Sequence, residues 1–291
     1  MYSIPNTGGP AGGLSALLRL ATRFPVLLPL AILVLIIAPV FASQSSGMVT
    51  VAFDDGYAST YLNAAPIMEE YGITGTVYVV PQNVETGTLG GFMDLSMLKA
   101  LNSQGWNIEC HSMTHPDLTS LVPVTLKEEI HGSKEWLEGR GFKPTSFASP
   151  YGLWNSDVLL EIANSGFAEH RTAWPRGLNQ MPDEQDMLML ATVFVEEDEN
   201  PVASARHWID EAIRQNKWLI LSFHRVGEDG EYNVTMEQFK EIMLHLHLSG
   251  VPTGKPEPKL KATQLVGIGL IAPTALLIIT GFRNRRRIKV K

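Results

Sequence analysis

The chain has 291 residues, 45% of them hydrophobic, which suffices for one large domain or two small ones, and its single cysteine, Cys110, excludes an intramolecular disulfide. Between residues 47 and 252 only 12 basic residues stand against 29 acidic ones. That balance excludes nucleic acid and other polyanions as partners of the middle of the chain.

In chain order, no charged residue occurs from Phe24 to Ala42, and Arg19 and Arg23 precede this apolar run. Residues 1–46 therefore read as a tail with a signal or anchor segment, either cleaved after Ala42 or retained in the membrane. The first strand, apolar or β-branched from Val49 to Phe53, ends abruptly in Asp54-Asp55-Gly56. Two adjacent carboxylates repel each other unless a cation stands close, and side chains at a strand end diverge. One is thus free to ligate an ion while the other handles a proton; an Asp-Gly turn is the plainer alternative.

Residues 58–71 have helical character stopped at Gly72, and Thr74–Val80 is a second strand closed by Pro81. A loop to Gly91 follows, then a helix over Leu95–Gln104 and a third strand over Trp106–Cys110 that runs directly into His111-Ser112-Met113-Thr114-His115. A helix over residues 125–139 precedes a strand over 145–148, which meets Ser149-Pro150-Tyr151-Gly152. The next helix spans 156–165, whereas residues 168–186 mix charged, Pro and Gly residues without a period. Met187–Val195 is predicted as a strand, Pro201–Gln215 as a helix, Trp218–Phe223 as the last strand, ending at His224, and Thr235–Ser249 as the final helix. Residues 253–264 form a linker containing Pro, Gly and Lys. Leu265–Phe282 is again uncharged and precedes the basic run Arg283–Lys291, the pattern of a transmembrane helix with a cytoplasmic tail. Both charge signals place residues 47–252 outside the cytoplasm, with the lipid bilayer as a partner.

The alternation of strand and helix implies a parallel sheet with helices outside it. About seven strands suit a distorted or incomplete (β/α) barrel, with a doubly wound open sheet as the alternative. The barrel is favoured because Asp54, Asp55, His111, Tyr151 and His224 all follow strands, where β/α barrels collect their active sites. His111 and His115 alone are a weak metal signal. With a strand-end Asp they make a three-ligand site with open positions for water and substrate.

Phe53-Asp54-Asp55-Gly56, His111-Ser112-Met113-Thr114-His115, Ser149-Pro150-Tyr151-Gly152 with Asn155, and Leu219-Ile220-Leu221-Ser222-Phe223-His224 resemble, in order and spacing, the successive motifs of the polysaccharide deacetylase (NodB-homology) family. The resemblance covers residues 47–252. It implies a distorted (β/α) barrel that hydrolyses the acetamide of an N-acetylated glycan with a divalent metal, Zn²⁺ foremost and Co²⁺ or another ion as substitutes. It further implies Asp54 as general base, Asp55, His111 and His115 as metal ligands, the Tyr151 N–H as oxyanion donor and His224 as general acid. Pro150, Tyr151, Trp174 and Leu221 are the implied substrate-binding residues, with Leu221 on the wall that receives the acetyl methyl. Where many family members carry an arginine before the Pro-Tyr-Gly, this chain has Ala148-Ser149. Arg171 and Arg176 are the candidates to orient the base instead, solvated loop arginines being the alternative. Two other functions fit less well: a metal-dependent amidohydrolase for a non-polysaccharide amide, and a catalytically silent glycan-binding module, which has no need of both Asp54 and His224.

Overall fold

The computed structural model describes residues 47–182 and 187–256. The expected N-terminal signal or anchor segment, the linker beyond residue 256, the 265–282 span and the basic tail lie outside the described residues. No helix among the described residues is long and apolar enough to cross a membrane.

Strand β1 (Met48–Phe53) lies inside a seven-stranded sheet with β2 (Thr76–Val79), β3 (Asn107–Cys110), β4 (Ser146–Ala148), β5 (Glu169–Arg171), β6 (Val193–Phe194) and β7 (Trp218–Phe223). The spatial order is β5-β4-β3-β2-β1-β7-β6, and every pairing is parallel. The segment leading into β6 ties the two edges together. Leu190 bridges Arg171 of β5, and three residues later Val193 pairs with Leu221 of β7. The sheet thereby curls into the incomplete barrel expected from the alternating pattern.

Helices α1 (Ala65–Glu70), α2 (Pro81–Thr86), α3 (Leu95–Ser103), α4 (Pro123–Glu138), α5 (Ser156–Asn164), α6 (Pro201–Gln215) and α7 (Met236–Ser249) connect or follow the strands. The two-residue period of the strands divides the side chains between two cores. Val49, Val51 and Phe53 of β1 and Leu219, Leu221 and Phe223 of β7 belong to the larger cluster shared with the helices. Ala52, Tyr78, Ala148, Leu190, Trp218 and Ile220 form a smaller cluster inside the barrel. Phe53 packs against Trp106, Phe223 and Phe239 with ring centroids 5.7–5.9 Å apart. Each such side chain stabilises the fold by about 1.5–3 kcal/mol through burial.

Four stretches differ from expectation. Residues 81–86, expected as loop, form α2, because Pro81 sits in the first helical turn where a missing N–H costs nothing. The unassigned segment after residue 168 contains β5, whose Glu169, His170 and Arg171 are all buried. The strand expected over Met187–Val195 pairs as a ladder only at Val193–Phe194. Finally, the start of the expected linker packs into the barrel base. Gly254 N–H donates to Val49 O, Thr50 Oγ1 donates to Gly254 O, and Lys255 Nζ lies 2.7 Å from Glu109 and 3.1 Å from Glu169. Two buried carboxylates need a cation, and Lys255 supplies it.

Candidate active site

The register of β1 with β7 runs from Met48 opposite Trp218 to Phe53 opposite Phe223, so the residues that follow, Asp54 and His224, emerge side by side. Asp54 is buried and accepts a hydrogen bond from Arg171 Nη2. Burial disfavours its charge, but Arg171, then His111 and His224, outweigh that cost and hold its pKa below the ordinary carboxylate value. Arg171 is itself fully buried, its guanidinium 4.2 Å from the Tyr78 ring centre. Of the two arginines considered for Asp54, the structure brings Arg171 to it. Arg176 instead makes a bidentate pair with Asp198, at 2.7 and 2.8 Å.

Asp55, His111 and His115 converge beside this pair. Asp55 Oδ1 lies 3.5 Å from His111 Nε2 and 3.4 Å from His115 Nε2. His111 Nδ1 is 2.8 Å from the Ala148 carbonyl, so Nδ1 carries the proton and the Nε2 lone pair faces Asp55. Burial pushes the His111 pKa down to about 4, leaving a neutral ring. Asp55 Oδ1 is buried yet has no hydrogen-bond partner. An orphaned carboxylate oxygen facing two imidazole nitrogens, with all three atoms within 4.8 Å of one another, is a donor set that fits a divalent cation.

The backbone here is unusual. Asp55, Ser112, His115, Tyr151 and Tyr232 all have positive φ without being glycine, and all but Ser112 line the same cavity. Such conformations cost roughly 1–3 kcal/mol each and persist only where the surroundings over-determine them. At Tyr151 the determinants are visible. Ser149 Oγ bonds His170 Nε2 at 2.8 Å, and Ser149 N–H donates to Arg171 O. A Cβ on Gly152 would stand 2.4 Å from Ala173, so only glycine fits that turn. β5 therefore positions both the Tyr151 turn, through His170, and Asp54, through Arg171.

His224 Nδ1 lies 2.6 Å from Glu196 Oε1, a buried carboxylate that follows β6. Burial opposes the charged imidazole, but the Glu196 hydrogen bond and the Asp54 charge raise the His224 pKa overall. Burial also raises Glu196, against the opposing pull of His224. Phe194 stacks on the His224 ring at 5.0 Å and Tyr232 tilts against it at 5.3 Å. Glu196 is a functional candidate that sequence reasoning missed. The rule that singled out His224, a polar residue directly after a strand, applies to it equally.

A cavity of about 370 Å³ joins these groups. Asp54, Asp55, His111, His115, Tyr151, Trp174 and His224 all line it, as do Arg171 and Arg176. Trp174 and Tyr151 are well exposed at 59% and 60%, so each offers a ring to a ligand. Pro150 is buried under the Tyr151 turn and starts it. Leu221 corrects an expectation: it sits one residue out of phase with the inward-facing Ile220 and Ser222, in the core against the helices, and does not reach the cavity. Phe194, Ala173 and Trp174 supply the apolar wall instead.

The sequence profile described as Polysaccharide deacetylase matches residues 42–170, which include the Asp-Asp pair, both histidines of the cluster and the Ser-Pro-Tyr-Gly turn. Over these residues the chain resembles the polysaccharide deacetylase family. It is similar to the Bacillus subtilis (strain 168) protein named as polysaccharide deacetylase YxkH, with 26% identity over 132 residues, 45% of this chain and 46% of that one. It is also similar to a poly-beta-1,6-N-acetyl-D-glucosamine N-deacetylase of Staphylococcus aureus (strain MSSA476), with 32% identity over 139 residues, 40% of this chain and 45% of that one. The match thus spans just under half the length of either relative. Among solved structures, the chitin deacetylase of the fungal pathogen Colletotrichum lindemuthianum superposes with a TM-score of 0.52 at 13% identity, covering 73% of this chain and 86% of that one. That likeness bears on the fold. The two chains share the fold of a curled parallel sheet with helices outside it.

Proposed function

We propose that this chain is a polysaccharide deacetylase, a metal-dependent N-deacetylase of an N-acetylated glycan. The observation that carries the proposal is the meeting, at one cavity, of a buried Asp54 held by Arg171 and a His224 held by Glu196, beside the Asp55–His111–His115 donor set. The named activity of the Staphylococcus aureus relative supports the same reading.

Asp55, His111 and His115 would hold the ion, Zn²⁺ foremost, which when bound supplies Lewis acidity toward an acyl oxygen and toward water. Asp54 acts as general base: Arg171 outweighs the cost of burial and leaves it ionised and fixed, with Oδ2 turned toward His111 at 3.9 Å. The Tyr151 N–H, in its left-handed turn, is the oxyanion donor. His224 protonates the departing amine, and the Glu196 hydrogen bond and Asp54 charge, which raise its pKa against the cost of burial, favour its carrying that proton. Trp174 and Tyr151 give flat faces for sugar rings.

The same proposal has a placement. The apolar runs at 24–42 and 265–282, each next to basic residues, support a bilayer-anchored protein with its catalytic domain outside the cytoplasm and its C-terminal tail within. The described chain enters at Gly47, where its N–H bonds Asn216, and leaves past Gly254, which bonds the first half of β1. Both points lie at the end of β1 opposite Asp54.

A screen of chitin, peptidoglycan and poly-N-acetylglucosamine oligomers with the full chain in detergent, reading acetate and free amine together, tests the proposal. Release of both in equal amounts, lost in a chelator and restored by Zn²⁺ or Co²⁺, is expected. Acetate release without new amine would indicate an ester substrate, and no release from any glycan would leave the smaller amides or a silent binder.

A further inference from the structure

We infer that Glu129, on α4, is a positioning residue that holds the His111–His115 turn in shape and thereby sets the affinity of the site for its divalent ion. It presupposes the Asp55–His111–His115 cation site and adds a residue that has no part in the chemistry.

Glu129 is buried, and among the described residues no Lys, Arg or His forms an ion pair with it. Its carboxylate is satisfied by the turn instead. Oε2 accepts the N–H groups of Met113 and Thr114, each at 2.9 Å, and Oε1 accepts the Thr114 hydroxyl at 2.6 Å. Three donors on one buried carboxylate fix a rigid local geometry, because a charged acceptor strengthens each bond and leaving it short of donors is costly.

The turn needs such a hold. Ser112 and His115 both adopt positive φ, at 62° and 65°. Other local restraints are His115 N–H to Ser112 Oγ, Gln82 N–H to Met113 O, and the Tyr151 hydroxyl to His115 O at 3.4 Å. The two histidines also differ in how they are aimed. His111 is oriented through its own ring by the Ala148 carbonyl. No bond of that kind reaches the His115 ring among the described residues, so its direction depends on the backbone of the turn and on the Tyr151 and His111 rings packed against it at 4.7 and 4.8 Å. Glu129 thus does for His115, through the backbone, what Ala148 does for His111 through the imidazole.

The test is metal affinity rather than turnover. The full chain is stripped of metal and titrated with Co²⁺ and Zn²⁺ against a chromogenic chelator, and the visible spectrum of the Co²⁺ form is recorded. Glu129→Ala should weaken binding by about 10–100-fold and alter the Co²⁺ spectrum. Glu129→Gln should stay within about threefold, since its carbonyl oxygen can accept both N–H groups while its amide donates to the Thr114 hydroxyl. Thr114→Val, which removes one of the three bonds, should lose about fivefold. A folded Glu129→Ala chain with the affinity and spectrum of the parent overturns the inference. If that variant does not fold, unchanged affinity in Thr114→Val overturns it equally. A parent chain that binds neither ion would overturn the cation site itself, a different outcome from a parent that binds and variants that bind as well.

Discussion

Arg171 of β5 and Asp54 at the end of β1 form a buried ion pair across the top of the barrel, 117 residues apart in sequence. Neither has meaningful contact with water, so the pair is held by geometry, and each member depends on the other to remain charged.

Removing the cation should therefore be severe. Arg171→Met is expected to cost roughly 3–5 kcal/mol of stability, because it leaves Asp54 buried and unpaired. Arg176→Met breaks a partly exposed pair with Asp198 and should cost about 1 kcal/mol or less. Urea denaturation of the two variants checks the contrast. Equal effects would mean that Arg171 is not the partner on which Asp54 depends.

Glu196 should govern the alkaline limit of activity. As general acid, His224 must carry its proton, and Glu196 helps to raise its pKa. In Glu196→Gln that support is gone, so the proton is lost at lower pH and the alkaline limb of the kcat profile moves toward acid. The acid limb, set by Asp54, should move little. A pH–rate profile of both proteins measures this, and an unmoved alkaline limb would remove Glu196 from the account.

Leu221 and Trp174 should separate stability from binding. Leu221→Ala opens a cavity in the helix-facing core and should destabilise by about 2–5 kcal/mol with KM nearly unchanged. Trp174→Ala removes an exposed ring from the cavity wall, so KM should rise while the thermal transition stays within a degree or two of the parent. Steady-state kinetics beside thermal melts would show the split, and a KM effect at Leu221 would contradict its placement.

Lys255 should matter to a domain from which it seemed separate. Lys255→Met leaves Glu109 and Glu169 buried without their cation, and a loss on the order of 3 kcal/mol is expected in chemical denaturation. A variant as stable as the parent would return residues 253–256 to the status of a linker.

The contrast between β1 and β5 explains what the sequence revealed and what it hid. β1 is apolar up to a polar stop, β7 likewise, and both were read correctly because hydrophobic burial leaves a local signature. β5 is Glu169-His170-Arg171, as polar as any loop, and its burial is made tolerable by partners far along the chain: Lys255, Ser149 and Asp54. No window of neighbouring residues contains that information. The start of the expected linker was missed for the same reason, since Lys255 answers carboxylates 86 and 146 residues away. The site was more legible than its supports. Asp54, Asp55, His111, His115, Tyr151 and His224 follow strands and meet at one cavity, whereas Glu129 and His170 act through backbone or a neighbouring side chain and show no pattern of their own. Leu221 failed for a different reason. The two-residue period that carries His224 inward carries Leu221 outward, toward the helices.

The most direct test is acetate release from an N-acetylglucosamine oligomer by the Zn²⁺-loaded full chain and by its Asp54→Asn variant, with zinc content and thermal stability measured on the same samples. Asn keeps the size of Asp54 but cannot take a proton, so the rate should fall by roughly 10²–10⁴-fold while zinc content holds. A variant that binds zinc and releases acetate at the parent rate would contradict the account.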